Sequence, residues 1–198
     1  MGTMSLETFK KLGEQVSSID PEFLQENDVL VLWGGEDISS HFYGEKPTYT
    51  YAGSPSRRDV IEQRMFNSAV SKGLPIIGVC RGAQLACALS GGRLYQDIQH
   101  PGMHYMTCND GKQRVSNSVH HQMMRPDDTD HQLIAWTNNL SPYHKTEEGD
   151  VGEVEQEPEI VYFNKTKALA IQGHPEFVPN GHPFHTYACE LIDAYSIR

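Results

Sequence analysis

One pentapeptide in this chain has the form of a nucleophile elbow: Gly78-Val79-Cys80-Arg81-Gly82. Residues 75–79 (P-I-I-G-V) read as a short buried strand, and residues 81–89 have a helical pattern ending at Gly91-Gly92. A turn this tight favours glycine on either side of the nucleophile. It would lift Cys80 above the carboxyl end of a sheet, where open α/β folds bind ligands. It would also set Cys80 at a helix N-terminus, whose partial positive charge favours the reactive thiolate. The Arg81 N–H at the same helix start could donate to an oxyanion. Taken alone, the pentapeptide fits an inert buried cysteine equally well.

A thiolate nucleophile needs a base, and the base needs an orienting group. Of ten histidines, His174 has the most suggestive setting, in Gln172-Gly173-His174-Pro175-Glu176. There a strand pattern ends, and an imidazole and a carboxylate follow two residues apart. Pro175 fixes its own φ and holds His174 out of the α region, which stiffens that spacing. Glu176 could then hold one ring nitrogen while the other faces the thiol. The order nucleophile, His, acid differs from the nucleophile, acid, His order of α/β-hydrolases.

The elements around these residues predict an α/β fold. Residues 28–33 (D-V-L-V-L-W) form an apolar, β-branched run stopped by Gly34-Gly35 and read as a buried strand. Residues 39–55 read as a loop. Residues 56–71 read as a helix with Ser56 as N-cap and Gly73 closing it. A short helix is expected at residues 9–16. Strands are expected at residues 114–119, 133–136, 159–163 and 168–172, the last two joined as a hairpin through Asn164-Lys165-Thr166. Residues 184–197 read as a closing helix. Strand, helix, strand, helix in short order argues for a mainly parallel sheet flanked by helices, in a single domain spanning 1–198.

Composition narrows the function. The chain has 198 residues, is 38% hydrophobic and 21% charged, and carries a formal net charge of −10. An acidic chain without clustered Lys and Arg is a poor partner for nucleic acid or an anionic membrane. Seven carboxylates and no base fall within residues 147–159, read as a solvated loop. The four cysteines form no C-x-x-C pair, and no apolar run approaches a membrane span or a signal sequence. The expectation is a soluble, cytoplasmic protein with free thiols. Cys87 and Cys189 read as core residues, and Cys108 lies in a polar stretch with no stated role. His120-His121 and His182-Pro183-Phe184-His185 invite a metal reading, but neighbouring residues of a strand point to opposite faces. His120 reads instead as a pocket residue, and His100 and His104 as loop residues at the pocket mouth. Tyr43, Tyr49 and Tyr51 are read as a lid or as ordinary loop packing.

Taken together these motifs resemble class I glutamine amidotransferases. Gly78-Val79-Cys80-Arg81-Gly82-Ala83-Gln84 and Gly173-His174-Pro175-Glu176 resemble the two signatures of that superfamily. The branch of γ-glutamyl-γ-aminobutyrate hydrolase and γ-glutamyl hydrolase, the C26-like peptidases, is the most similar. The likeness is carried further by Gly34-Gly35-Glu36-Asp37 with Tyr43-Gly44-Glu45, by Arg58-Asp59 with Glu62, by Gly91-Gly92-Arg93-Leu94-Tyr95-Gln96-Asp97-Ile98, and by Asn117-Ser118-Val119-His120-His121-Gln122. The resemblance implies a flavodoxin-like sheet and hydrolysis of a γ-glutamyl amide through a γ-glutamyl thioester. It implies Cys80 as nucleophile, His174 as general base and acid, and Glu176 as orienter. Backbone N–H groups of Gly35 and Arg81 would form the oxyanion hole, and Gln84, Ser118 and Val119 would hold the glutamyl part of a small-molecule substrate. No metal or organic cofactor is implied. Two alternatives stay open: a glutaminase subunit that supplies ammonia to a separate synthetase partner, and a non-catalytic binding module. The family starts with a strand that residues 1–26 do not offer, which leaves a trimmed sheet edge as the expectation.

Overall fold

The computed structural model describes residues 20–48, 53–100 and 102–196. The expected helix at 9–16, Tyr49 and Tyr51 lie outside them. Twelve strands follow in order: β1 (Leu30–Leu32), β2 (Ile76–Val79), β3 (Arg93–Tyr95), β4 (Asp97–Ile98), β5 (Met103–Cys108), β6 (Gln113–Asn117), β7 (Met123–Arg125), β8 (His131–Thr137), β9 (His144–Thr146), β10 (Gly149–Asp150), β11 (Glu157–Phe163) and β12 (Ala168–Ile171). Among the described residues three helices accompany them: α1 (Arg57–Ser71), α2 (Arg81–Leu89) and α3 (Pro183–Ser196).

The main sheet has seven strands in the order β1-β2-β12-β11-β8-β5-β6. It is parallel across β1, β2 and β12, where the elbow and the His-Pro-Glu segment emerge side by side. From β12 through β11, β8, β5 and β6 it is antiparallel, beginning with the expected hairpin of β11 and β12. Two small sheets, β10-β9-β4 and β3-β7, complete the fold.

Alternation along β2 builds both cores. Ile76 packs with Leu32, Phe66, Leu85 and Phe163 beneath α1 and α2. Ile77 and Val79 face the other way, among Ile134, Ile171, Phe184, Ala188 and Ile192 under α3. All four residues of β2 are buried, as befits a strand covered by helices on both faces. Helix α1 starts as its sequence predicts. Ser56 accepts from the Asp59 N–H, and the Asp59 carboxylate accepts from the Ser56 N–H, closing a capping box.

Several expectations need correction. The stretch read as a loop contains a 3₁₀ turn at Ser40–Tyr43, and Tyr43 packs into the core, in line with the packing alternative and not the lid. Cys108 ends a strand and is buried, because β5 pairs with both β6 and β8. The acidic stretch 147–159 is solvated only in its first part. Glu157 and Glu159 are fully buried in β11, which has partners on both edges. His104 lies in β5, and the His100 side chain is fully buried, so neither sits at a pocket mouth.

Candidate active site

Cys80 joins β2 to α2 with φ 51° and ψ −109°, a left-handed backbone that a non-glycine residue adopts only under constraint. The constraint is visible on both sides. A Cβ on Gly78 would stand 2.5 Å from the Gly82 carbonyl oxygen, and one on Gly82 would collide with the Leu32 carbonyl. Only glycine lets strand, turn and helix approach this closely. The Cys80 N–H donates to the Ile171 carbonyl at 2.8 Å, which ties the turn to the neighbouring parallel strand.

That neighbour delivers the histidine. After β12 the chain reaches His174, whose φ of −113° and ψ of 85° precede a 3₁₀ turn at Pro175–Phe177. His174 Nδ1 lies 2.7 Å from Glu176 Oε1, and both side chains are nearly inaccessible. Asn117 grips the same residue by its backbone, accepting from the His174 N–H at 2.6 Å and donating to its carbonyl at 2.8 Å. The Phe177 ring stacks on the imidazole, with centroids 4.2 Å apart and planes 4° from parallel. Burial opposes a charged imidazole. The neighbouring Cys80 thiol and the hydrogen-bonded Glu176 carboxylate outweigh it, and the His174 pKa rises from 6.5 to about 9.

The Gly34-Gly35 segment runs beside this pair. A Cβ on Gly34 would lie 2.6 Å from His174 Cε1 and 3.6 Å from Cys80 Cβ. Arg58 reaches across from the first turn of α1 and donates to the carbonyls of Trp33 (2.9 Å) and Gly34 (3.1 Å), while its Nε donates to Glu62 at 2.8 Å. The buried Arg81 guanidinium pairs with both Asp59 and Glu62. The elbow and the glycine segment are thus tied to one helix end by two arginines and two carboxylates. Sequence reasoning quoted Arg58, Asp59 and Glu62 as a likeness but gave them no role. Asn117 was passed over in the same way, although its place in the quoted Asn-Ser stretch was the available signal.

The remaining site residues divide. Gln84 and His120 are both buried and converge on one acceptor, the Gln122 carbonyl, at 2.8 and 2.9 Å. Burial pushes the His120 imidazole down to about 4, so it is neutral near pH 7. Ser118 is buried with its Oγ unpartnered, and its N–H donates to the Gly102 carbonyl at 2.5 Å. Val119 is exposed. His121 faces outward, 3.0 Å from Asp37. A surface hollow lined by Ser90, Gly91, Asp128 and Thr166 lies at the far end of α2 from Cys80 and belongs to no part of this arrangement.

The helix-flanked sheet, with its elbow and adjoining His-Pro-Glu turn, has the architecture of the class I glutamine amidotransferases. Residues 13–176 match the family model of Peptidase C26, and the chain belongs to that family. Among curated proteins it is similar to the glutamine amidotransferase-like protein YvdE of Lactococcus lactis, with 44% identity over 71 residues, covering 36% of this chain and 30% of that one. It is also similar to the protein NtpR of Enterococcus hirae, with 30% identity over 122 residues, covering 62% and 51% of the two chains. The chain thus spans about half or less of these relatives' lengths. Its fold resembles a Thermotoga maritima glutamine amidotransferase with a TM-score of 0.55 at 17% identity, covering 97% of this chain and 75% of that one. It also resembles a Thermoplasma acidophilum protein described as a GMP synthase subunit, with a TM-score of 0.57 at 18% identity, covering 98% and 88%. Among the described residues no helix is long and apolar enough to cross a membrane.

Proposed function

We propose that this protein hydrolyses a γ-glutamyl amide, with Cys80 as nucleophile, His174 as general base and acid, and Glu176 as its orienter. The observation that carries the reading is the imidazole held by Glu176 at 2.7 Å beside the elbow, so close that one added Cβ on Gly34 would lie against both His174 Cε1 and Cys80 Cβ. In the first half-reaction the Cys80 thiolate attacks the γ-carbonyl carbon. The oxyanion takes hydrogen bonds from the backbone N–H groups of Gly35 and Arg81. Collapse of the tetrahedral adduct breaks the C–N bond, and His174 gives its proton to the departing amine. A γ-glutamyl thioester remains. His174 then takes a proton from water, whose oxygen attacks the thioester; glutamate leaves and the Cys80 thiolate is regenerated. Gln84, Ser118, Val119 and His120 hold the glutamyl portion in this reading. The unpartnered Ser118 Oγ supports it, since a buried hydroxyl without a partner is costly unless a ligand supplies one.

The test is a screen of purified protein for glutamate release from glutamine and from γ-glutamyl amines, beside labelling by a glutamine-like electrophile. Release without a partner, abolished in Cys80→Ser, is the expected result. Labelling of Cys80 with no release from any substrate would transfer the site to an ammonia-supplying subunit that needs a synthetase partner. Labelling at Cys87, Cys108 or Cys189 in its place would refute the nucleophile. Glutamine-like ligands that bind without labelling or turnover would indicate a binding module.

A further inference from the structure

A second cluster, on the strand β11 that pairs with β12, is one that this chemistry does not use. The fold brings His100, from the loop after β4, and His104, from β5, against Glu159 of β11. Their donor atoms all lie within 4.8 Å of one another. We propose that His100, His104 and Glu159 form a binding site for a divalent transition-metal ion such as Zn²⁺, with His120 beside it as a fourth donor, directly or through a bound water.

The donor separations are ones an ion can span, and one of them is already a direct hydrogen bond between His104 and Glu159. Tetrahedral zinc with bonds of about 2.0–2.1 Å separates its ligand atoms by roughly 3.3–3.4 Å. Glu159 Oε1 stands 2.9 Å from His104 Nε2 and 3.5 Å from His100 Nδ1. The His100 contact lacks hydrogen-bond geometry, and both His100 ring nitrogens are buried without a hydrogen-bond partner. His120 adds an independent sign. It is 9% exposed, its Nδ1 lies 2.9 Å from the Gln122 carbonyl, and its buried Nε2 has no partner. A ring that donates from Nδ1 presents a lone pair at Nε2, the tautomer a metal requires. Its centroid is 5.4 Å from that of His100.

The surroundings supply what ligands of a metal need. Glu157 Oε2 lies 3.3 Å from His100 Nε2, an ion-pair distance, with the other ring nitrogen on the side of Glu159. Glu157 is itself held by the Thr137 hydroxyl (2.7 Å) and by the N–H groups of Leu140 (2.9 Å) and Ser141 (2.7 Å). Ser116 Oγ donates to the second oxygen of Glu159 at 3.0 Å. The two carboxylates match a divalent charge, and an imidazole-rich donor set suits zinc over calcium or magnesium. A hollow lined by Gln99, His100, Leu140 and Pro142 adjoins the cluster at the His100 backbone loop. An ion here would staple the loop after β4 to β5 and β11, next to the segment carrying Ser118 and His120. Its role is structural. The histidines expected at a pocket mouth become its ligands.

The experiment uses the full chain, stripped with a chelator and titrated with Zn²⁺ and Co²⁺. One equivalent is expected, with visible Co²⁺ absorption of a tetrahedral site and an X-ray absorption first shell of nitrogen and oxygen only. Cys80→Ser should bind equally, which separates this site from the proposed catalysis. His104→Gln and Glu159→Gln should each lose affinity on the order of a hundredfold or more. No stoichiometric uptake by the intact protein would overturn the proposal. So would sulfur in the first shell, or unchanged affinity in either folded variant. The absorption measurement decides the matter on the unaltered chain even if those variants fail to fold.

Discussion

Arg58 offers the sharpest test of how the site is held, although it touches neither Cys80 nor His174 through any contact described above. Its two terminal nitrogens hold the carbonyls of Trp33 and Gly34 at 2.9 and 3.1 Å. In a trans peptide the C=O of one residue and the N–H of the next point in opposite directions. Holding the Gly34 carbonyl toward Arg58 therefore turns the Gly35 N–H away from it, and that N–H is one of the two oxyanion donors in the proposed function. Arg58→Ala removes both donors. Hydrogen bonds from a charged donor contribute about 1.5–3 kcal/mol each. The Arg58 side chain is 42% exposed, so water replaces part of that. A net bias of about 1.5–3 kcal/mol on the peptide orientation corresponds to a roughly 10- to 150-fold loss of rate. Complete loss of an oxyanion donor, roughly 100- to 1,000-fold, sets the ceiling. The expected result is a fall in kcat within that range with KM nearly unchanged, measured as glutamate release from a γ-glutamyl amide. Arg58→Lys should fall similarly, since an ammonium cannot fork to two carbonyls. Unaltered kcat in Arg58→Ala would refute the reasoning, as would a loss accounted for entirely by a lower melting temperature.

Two further outcomes follow from the same geometry. The raised His174 pKa puts the alkaline limb of kcat/KM near pH 9, because the imidazolium must protonate the leaving amine. The stability this imidazolium contributes is fully present below the ordinary value of 6.5 and is lost as pH rises through about 9. Glu176→Gln removes a partner that favours the charged ring, so the limb should move toward acid; a limb that stays in place would remove Glu176 from its orienting role. Asn117→Ala takes away both backbone contacts to His174. It should lower stability by about 1–3 kcal/mol in chemical denaturation and lower kcat more than it raises KM; a purely thermodynamic effect with full turnover would reduce Asn117 to scaffolding.

The site was legible where local pattern and local geometry coincide. Gly78 and Gly82 announce the elbow because no other residue fits there, and Pro175 announces the turn because it constrains its own backbone. Helix α1 could be bounded from Ser56 at its start and Gly73 beyond its end. The strands β3, β4, β7, β9 and β10 are two or three residues long, too short to carry a period. In β5 the alternation exists, with His104, Met106 and Cys108 turned inward. It was hidden because the first inward residue is a histidine. Glu157 and Glu159 were misread for a similar reason. Their charge says surface, and only the histidines, hydroxyls and N–H groups brought in from β5, β6, β8, β9 and the loops around them make their burial tolerable.

The insertion of β12 between β2 and β11 has a consequence for how the protein comes into being. The thiol and its histidine are near neighbours in space but 94 positions apart along the chain. While the polypeptide is being made, β2 emerges early, with β1 as its only partner. The elbow then lacks the Ile171 carbonyl that anchors the Cys80 N–H, and the imidazole has not yet been synthesised. Over those 94 positions of synthesis Cys80 has no His174 beside it. Pairing across so long a separation is slow, because loop closure precedes the contacts that reward it. Docking of the β11–β12 hairpin fills the centre of the sheet, anchors the elbow and sets His174 beside Cys80, so the geometry of the proposed site depends on completion of the core.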